Sequence, residues 1–172
     1  MTKILTNTKL FNEAVEKYQT WLRRIGSMKV HLRVDSSHIE EQYNRAALLS
    51  HSIGKLMGWV SQMRDRLSIE FEAWEAEKRI SIKRKLEIEK GFHDQSFKAR
   101  AVDVVKEAEV KDTLKADPMW LKLKLRVGRF KKYSIVVEHG MLWEAARLPK
   151  TLDRLKICAS SVEGTQGRYK ED

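Results

Sequence analysis

The stretch KRISIKRKLEIEKG, residues 78–91, sets six basic side chains against two acidic ones. Lys78, Arg79, Lys83, Arg84, Lys85 and Lys90 are flexible cations suited to phosphate oxygens. Contacts of that kind follow a nucleic-acid backbone, weaken with salt and carry no base sequence. The plainer reading is a solvated helix face. In it Lys83–Glu87 and Lys85–Glu89 pair at i,i+4, in the weaker orientation with the base first. Residues 79–88 also alternate, with Ile80, Ile82, Arg84, Leu86 and Ile88 against Arg79, Ser81, Lys83, Lys85 and Glu87. An extended strand would put Arg79, Lys83 and Lys85 on one face, whereas a helix turns Lys83 and Lys85 about 200° apart. Helix is the expectation, because the stretch adjoins a long helical pattern and is rich in Glu and Lys.

A second basic run, KLKLRVGRFKK, carries Lys122, Lys124, Arg126, Arg129, Lys131 and Lys132. Its plainer reading is the solvated outside of the last long helix. Aromatic residues beside bases can stack unpaired nucleobases. Trp74, Phe92 and Phe97 flank the first run. Trp74 lies on an apolar seam and is expected in the core, which leaves Phe92 as the better stacking candidate.

Other chemistry is missing from the pattern. The chain has no G-x-x-x-x-G-K-[ST] and no G-x-G-x-x-G. His31, His38, His51, His93 and His139 are scattered without an H-x-x-x-H pair, and Cys158 is the single cysteine. No zinc site, other metal site or cofactor is expected. Cys158 is read as a small core residue. No catalytic constellation is found, so the expectation is a protein that is not an enzyme.

The totals agree with a binding protein. Lys and Arg number 34 against 24 Asp and Glu in 172 residues, a net charge of +10. That surplus favours a polyanionic partner. Charged residues are 34% of the chain and apolar ones 42%, a balance that suits long helices with solvated faces. A lone cysteine fits a reducing cytosol. The start, MTKILTNTKLFNEA, lacks the apolar run of a signal peptide, and no stretch is apolar enough to span a membrane. A basic amphipathic membrane-surface protein is disfavoured, because the seams lack concentrated aromatic and lysine borders.

Eight glycines and two prolines leave little punctuation. Phe11, Ala14, Val15, Tyr18, Trp21, Leu22 and Ile25 form the stripe of a first helix, residues 8–26, which Gly26 is expected to stop. SMKVHLRVDSS reads as a linker or short strand. Ser37 and Glu40 form a capping-box pattern that opens a long helix. Its expected seam runs Ile39, Tyr43, Ala46, Ser50, Ile53, Met57, Val60, Arg64, Leu67, Phe71, Trp74 and Lys78, a coiled-coil spacing. Gly54 and Gly58 on that helix are read as points where another helix approaches closely. FHDQS reads as a loop and residues 96–117 as a helix with Phe97, Ala101, Val104 and Ala108 on one side. Asp117 before Pro118 marks another helix start. From there Trp120, Leu123, Val127, Phe130, Ser134, Val137, Met141, Glu144 and Leu148 repeat the four-three pattern until Pro149. A short helix from Lys150 to Ala159 and a polar, disordered tail follow. The expected fold class is all-α, built from long amphipathic, coiled-coil-like helices. Narrow seams on long helices suit a homo-oligomer.

The order of these features resembles the UvsY-like recombination mediators of T-even-like phages. DSSHIEEQYNRAALLSHSIGKLMGWV is similar to that family's first helix. EAEKRISIKRKLEIEKG is similar to its basic motif, the most specific piece. KDTLKADPMWLKLKL and the helix after it are similar to its C-terminal region, including a glycine near Gly140. The likeness covers roughly residues 34–155. It implies a protein that binds single-stranded DNA without sequence preference and forms ring-like oligomers through its C-terminal helices. It also implies a partner, a RecA-like recombinase, loaded onto DNA that a single-strand-binding protein already covers. The family's DNA-contacting lysine falls on Lys83 and its second basic residue on Lys85. Here that residue is lysine and not arginine, and Arg84 stands where a small residue is expected, so bidentate phosphate geometry at position 85 is lost.

These readings give residues 1–33 as an N-terminal helix and linker that is added to the family pattern. Residues 34–160 form a helical DNA-binding and oligomerisation domain, and 161–172 a tail. The expected DNA contacts are Lys83, Lys85, Arg84, Lys78 and Arg79. The expected oligomerisation residues are Val127, Phe130, Val137, Met141 and Leu148. The implied setting is the cytoplasm of an infected bacterial cell. The alternative from a different class is a helical scaffold or adaptor that binds another protein, with incidental basic faces.

Overall fold

A computed structural model of the protein describes residues 3–30, 39–90 and 105–142, together with 145–147, 150, 153, 154, 156 and 157. All regular structure among them is helical. The elements are α1 (Thr8–Val30), α2 (Ile39–Glu89), α3 (Glu107–Ala116) and α4 (Pro118–Ile135), followed by a π-helical segment, Val136–Leu142. The expected all-α class is therefore observed. Ser37, the FHDQS loop, Phe97, Pro149 and the tail lie outside the described residues.

The chain divides into two units. Unit one is Met1–Phe11 with Met63–Lys131, and unit two is Asn12–Gln62 with Lys132–Asp172. In unit two the stripe of α1 packs as its spacing requires: Ala14, Tyr18 and Ile25 are buried, and Trp21 and Leu22 lie against the same core. Tyr18 stacks on Tyr133 with ring centroids 3.8 Å apart. Gly26 does not end α1. One glycine costs a helix only about 1 kcal/mol, and beyond it Met28 still packs on this core. The helix reaches Val30, which removes the strand alternative for residues 27–30.

The core-facing line of α2 is Gln42, Ala46, Leu49, Ile53, Leu56, Val60, Met63 and Leu67. It keeps the four-three spacing but is rotated from the expected seam, sharing Ala46, Ile53, Val60 and Leu67 with it. Tyr43, Ser50, Met57 and Arg64 are half-buried and form one edge of the stripe. The reason is width: an apolar face of more than 100° holds two four-three lines, and spacing alone does not rank them. Among the described residues of the chain no helix approaches Gly54 or Gly58 closely, since a Cβ at either would meet nothing within 4 Å.

Unit one is held from both ends. Ile82, Val105, Val110 and Leu114 form a buried cluster, with Trp74, Leu86 and Trp120 against it. Asp117 starts α4 as expected: its Oδ1 accepts the Met119 N–H at 2.8 Å, and Pro118 takes the first helical position. At the other end Leu5 is fully buried and Phe11 meets Phe130 edge-on, at 5.8 Å. Arg126 fastens this segment. Its Nη1 donates to the Leu5 carbonyl at 2.5 Å, its Nη2 to Thr8 Oγ1 at 2.7 Å, and its guanidinium lies 4.8 Å from the Phe11 ring centre. Burial lowers its pKa from the ordinary arginine value. Arg126 thus leaves the solvated basic face that sequence spacing assigned to it. Glu70 completes the clasp by accepting the Leu5 N–H at 2.7 Å.

Candidate nucleic-acid interface

Residues 78–89 are the last three turns of α2, so the alternating pattern resolves as helix. Ile82 is buried and Leu86 half-buried against α3, and these two fix the face that the helix turns inward. At about 100° per residue, Arg84 then points almost directly away from that core. Lys83 and Lys85 project from the two flanks. All three are exposed.

The structure splits the five expected contacts into two groups. Lys78 is engaged within unit one: its Nζ lies 3.1 Å from Asp117 Oδ2 and 5.9 Å from the Trp74 ring centre. The Met119 amide, and then Lys78, hold the Asp117 carboxyl below its ordinary pKa. Arg79 is engaged too, with Nη2 3.2 Å from Glu75 Oε1 and Nη1 3.9 Å from Glu107 Oε1. Lys90 donates to Glu109 Oε2 at 2.8 Å, tying the end of α2 to the start of α3. That bond is the main reason the Glu109 carboxyl sits below its ordinary pKa.

Lys83, Arg84 and Lys85 make no ion pair with any described residue. The i,i+4 pairs Lys83–Glu87 and Lys85–Glu89 do not form. Among the described residues the six bases therefore reduce to one contiguous, uncompensated triplet backed by the Ile82 cluster. Its bases fan over about 200° of helix surface, so a single flat surface cannot meet all three, but a flexible strand crossing the helix can.

Of the expected oligomerisation residues, Val127, Phe130 and Val137 are buried within the chain itself, and Met141 packs on the core of unit two. Leu148 lies outside the described residues, as do Phe92 and Cys158. Trp74 lies against the unit-one cluster, as its seam position implied. In the second basic run Lys122, Lys124, Arg129, Lys131 and Lys132 are exposed, and Lys124 covers the Trp120 ring at 4.4 Å. Among the described residues no group of three His, Cys, Asp or Glu side chains is placed to hold a metal ion, and no helix is long and apolar enough to cross a membrane. No protein-family model, curated protein or solved structure matches the chain.

Proposed function

We propose that the protein is a non-enzymatic recombination mediator of the UvsY-like kind. It binds single-stranded DNA and helps load a RecA-like recombinase onto DNA covered by single-strand-binding protein. The observation that carries this reading is the exposed triplet Lys83–Arg84–Lys85, uncompensated among the described residues, in a chain of net charge +10. Three phosphate contacts from one subunit are weak. A homo-oligomer, in a ring or a related closed form, repeats them along one strand, and the repeated contacts add through avidity. Lys83 and Lys85 supply phosphate contacts on either flank of the helix, with Arg84 between them.

The test is recombinase filament assembly on single strands already covered by single-strand-binding protein. Adding this protein is expected to shorten the lag of assembly, and the Lys83→Ala, Lys85→Ala variant is expected to lose that effect. An unchanged lag with the wild-type chain rules the mediator role out. The scaffold reading has its own support in exposed apolar residues such as Ile69 and Leu125. It predicts no salt-dependent binding to oligo-dT.

A further inference from the structure

Two helix faces of unit one are apolar, exposed and turned away from that unit's core. On α2, Ile69 and Ile80 are 66% and 55% exposed, and with the exposed Ala73 and Ala76 they recur at steps of four, three and four. On α4, Leu121 and Leu125 are 53% and 66% exposed, with Gly128 three residues on. The buried Leu123, Val127 and Phe130 occupy the other side of α4. Single exposed apolar residues are ordinary, but two stripes at coiled-coil spacing are not.

Acids predominate along the α2 stripe, beside Arg66 and Arg79, which are paired with Glu70 and Glu75, and bases alone border the α4 stripe. Asp65 and Glu72 lie along one side of the α2 stripe, and Glu70 and Glu77 along the other. Lys124 and Lys131 lie along one side of the α4 stripe, and Lys122 and Arg129 along the other. No acidic residue occurs from Pro118 to Val137. Each bordering pair is separated by seven residues, so the four rows share one pitch. Pairing α4 with a second α4 opposes bases to bases. Pairing α2 with α4 opposes unlike charges whether the helices run parallel or antiparallel. Within its own chain Glu70 is committed to the Leu5 amide and Arg66. Asp65, Glu72 and Glu77 therefore carry the complementarity. All three are exposed; among the described residues Glu77 meets only Lys3, at 3.7 Å, and Asp65 only the adjacent Arg64.

We infer that the Ile69–Ile80 face of α2 in one copy docks on the Leu121–Gly128 face of α4 in the next copy. Such a contact is heterologous and head-to-tail, and it closes into a ring or continues as a filament according to the rotation per step. This rests on the homo-oligomer part of the proposed function and names its interface. It also moves that interface from Val127, Phe130 and Val137, which the chain buries in itself, to the outside of α4. Arg84 lies one turn beyond Ile80 on α2, so the contact sets the basic triplets at a fixed repeat.

The test is sedimentation of the full chain without DNA. The wild type is expected at multiples of 20.1 kDa. The Lys122→Glu, Arg129→Glu, Lys131→Glu variant and the Asp65→Lys, Glu72→Lys, Glu77→Lys variant are each expected as monomers. Mixing the two is expected to restore assembly, because each reversed face opposes the other, and that recovery also shows both variants to be folded. A monomeric wild type, a variant that keeps the wild-type mass, or a mixture that stays monomeric overturns the inference. If the α4 variant loses affinity for oligo-dT or anionic vesicles while keeping its assembled mass, the α4 face belongs to that ligand and the inference also fails. A chain that assembles and dissociates as expected but ignores single strands supports the interface and removes the DNA reading.

Discussion

Replacing Arg126 by alanine is expected to release the N-terminal segment from unit one. The guanidinium makes two hydrogen bonds, to the Leu5 carbonyl and to Thr8 Oγ1, and covers the Phe11 ring. Hydrogen bonds from a charged donor contribute about 1.5–3 kcal/mol each, and the cation–π contact about 0.5–2 kcal/mol. Against this stands the cost of burying the charge, several kcal/mol before its bonds are counted. A net loss of about 2–4 kcal/mol follows, enlarged by the Leu5 carbonyl left without its donor. Arg126→Lys is expected to lose less, since one ammonium cannot span both acceptors. The assay is hydrogen exchange at the Leu5 and Phe11 amides, which are bonded to Glu70 Oε2 and to the Asn7 carbonyl. In the alanine variant their exchange is expected to quicken by about 30-fold or more, from a change of at least 2 kcal/mol. Protection unchanged within about threefold, less than 1 kcal/mol, refutes the clasp.

Two pH effects follow from groups outside that clasp. Asp117 caps α4 and meets Lys78, and its carboxyl is held below the ordinary value. Its contribution is therefore full above the unfolded pKa near 4 and is lost as pH falls through the lower folded value. Asp117→Ala is expected to cost about 1 kcal/mol at pH 7 in urea unfolding, and the difference from wild type is expected to shrink below about pH 4. Burial, then the neighbouring Tyr133, raise the Tyr18 pKa above 10. The folded state therefore holds that proton longer than the unfolded state, and stability falls as pH rises above about 10. Tyr18→Phe is expected to flatten this alkaline decline in thermal melts, and an equal decline in both proteins contradicts the assignment.

Spacing made the helical class legible, because apolar residues at three and four recur with few glycines or prolines between them. It also located the start of α4, where Asp117 and Pro118 act through local backbone chemistry alone. It failed where two physical solutions share one pattern. The broad stripe of α2 contains two four-three lines, and only tertiary packing chose the one through Leu49 and Leu56. Arg126 was read by its charge as solvated, yet it sits three residues after Leu123 and four before Phe130, on the buried face. That position was the available signal. For the candidate site, sequence gave the basic stretch but not its division. Asp117 and Glu107, which meet Lys78 and Arg79, lie far along the chain. Only the fold shows that Lys83, Arg84 and Lys85 remain uncompensated among the described residues.

The most direct test of the account is the salt dependence of binding to oligo-dT. Each phosphate contact on a single strand contributes about 0.7 to the slope of log K against log salt. Removing three contacts in the Lys83→Ala, Arg84→Ala, Lys85→Ala variant is expected to lower the slope by about 2 for every subunit that touches the strand. The Lys78→Ala variant, whose base is tied to Asp117, is expected to change it far less. A triple variant with the wild-type slope and affinity contradicts the assignment of this end of α2 as the DNA contact.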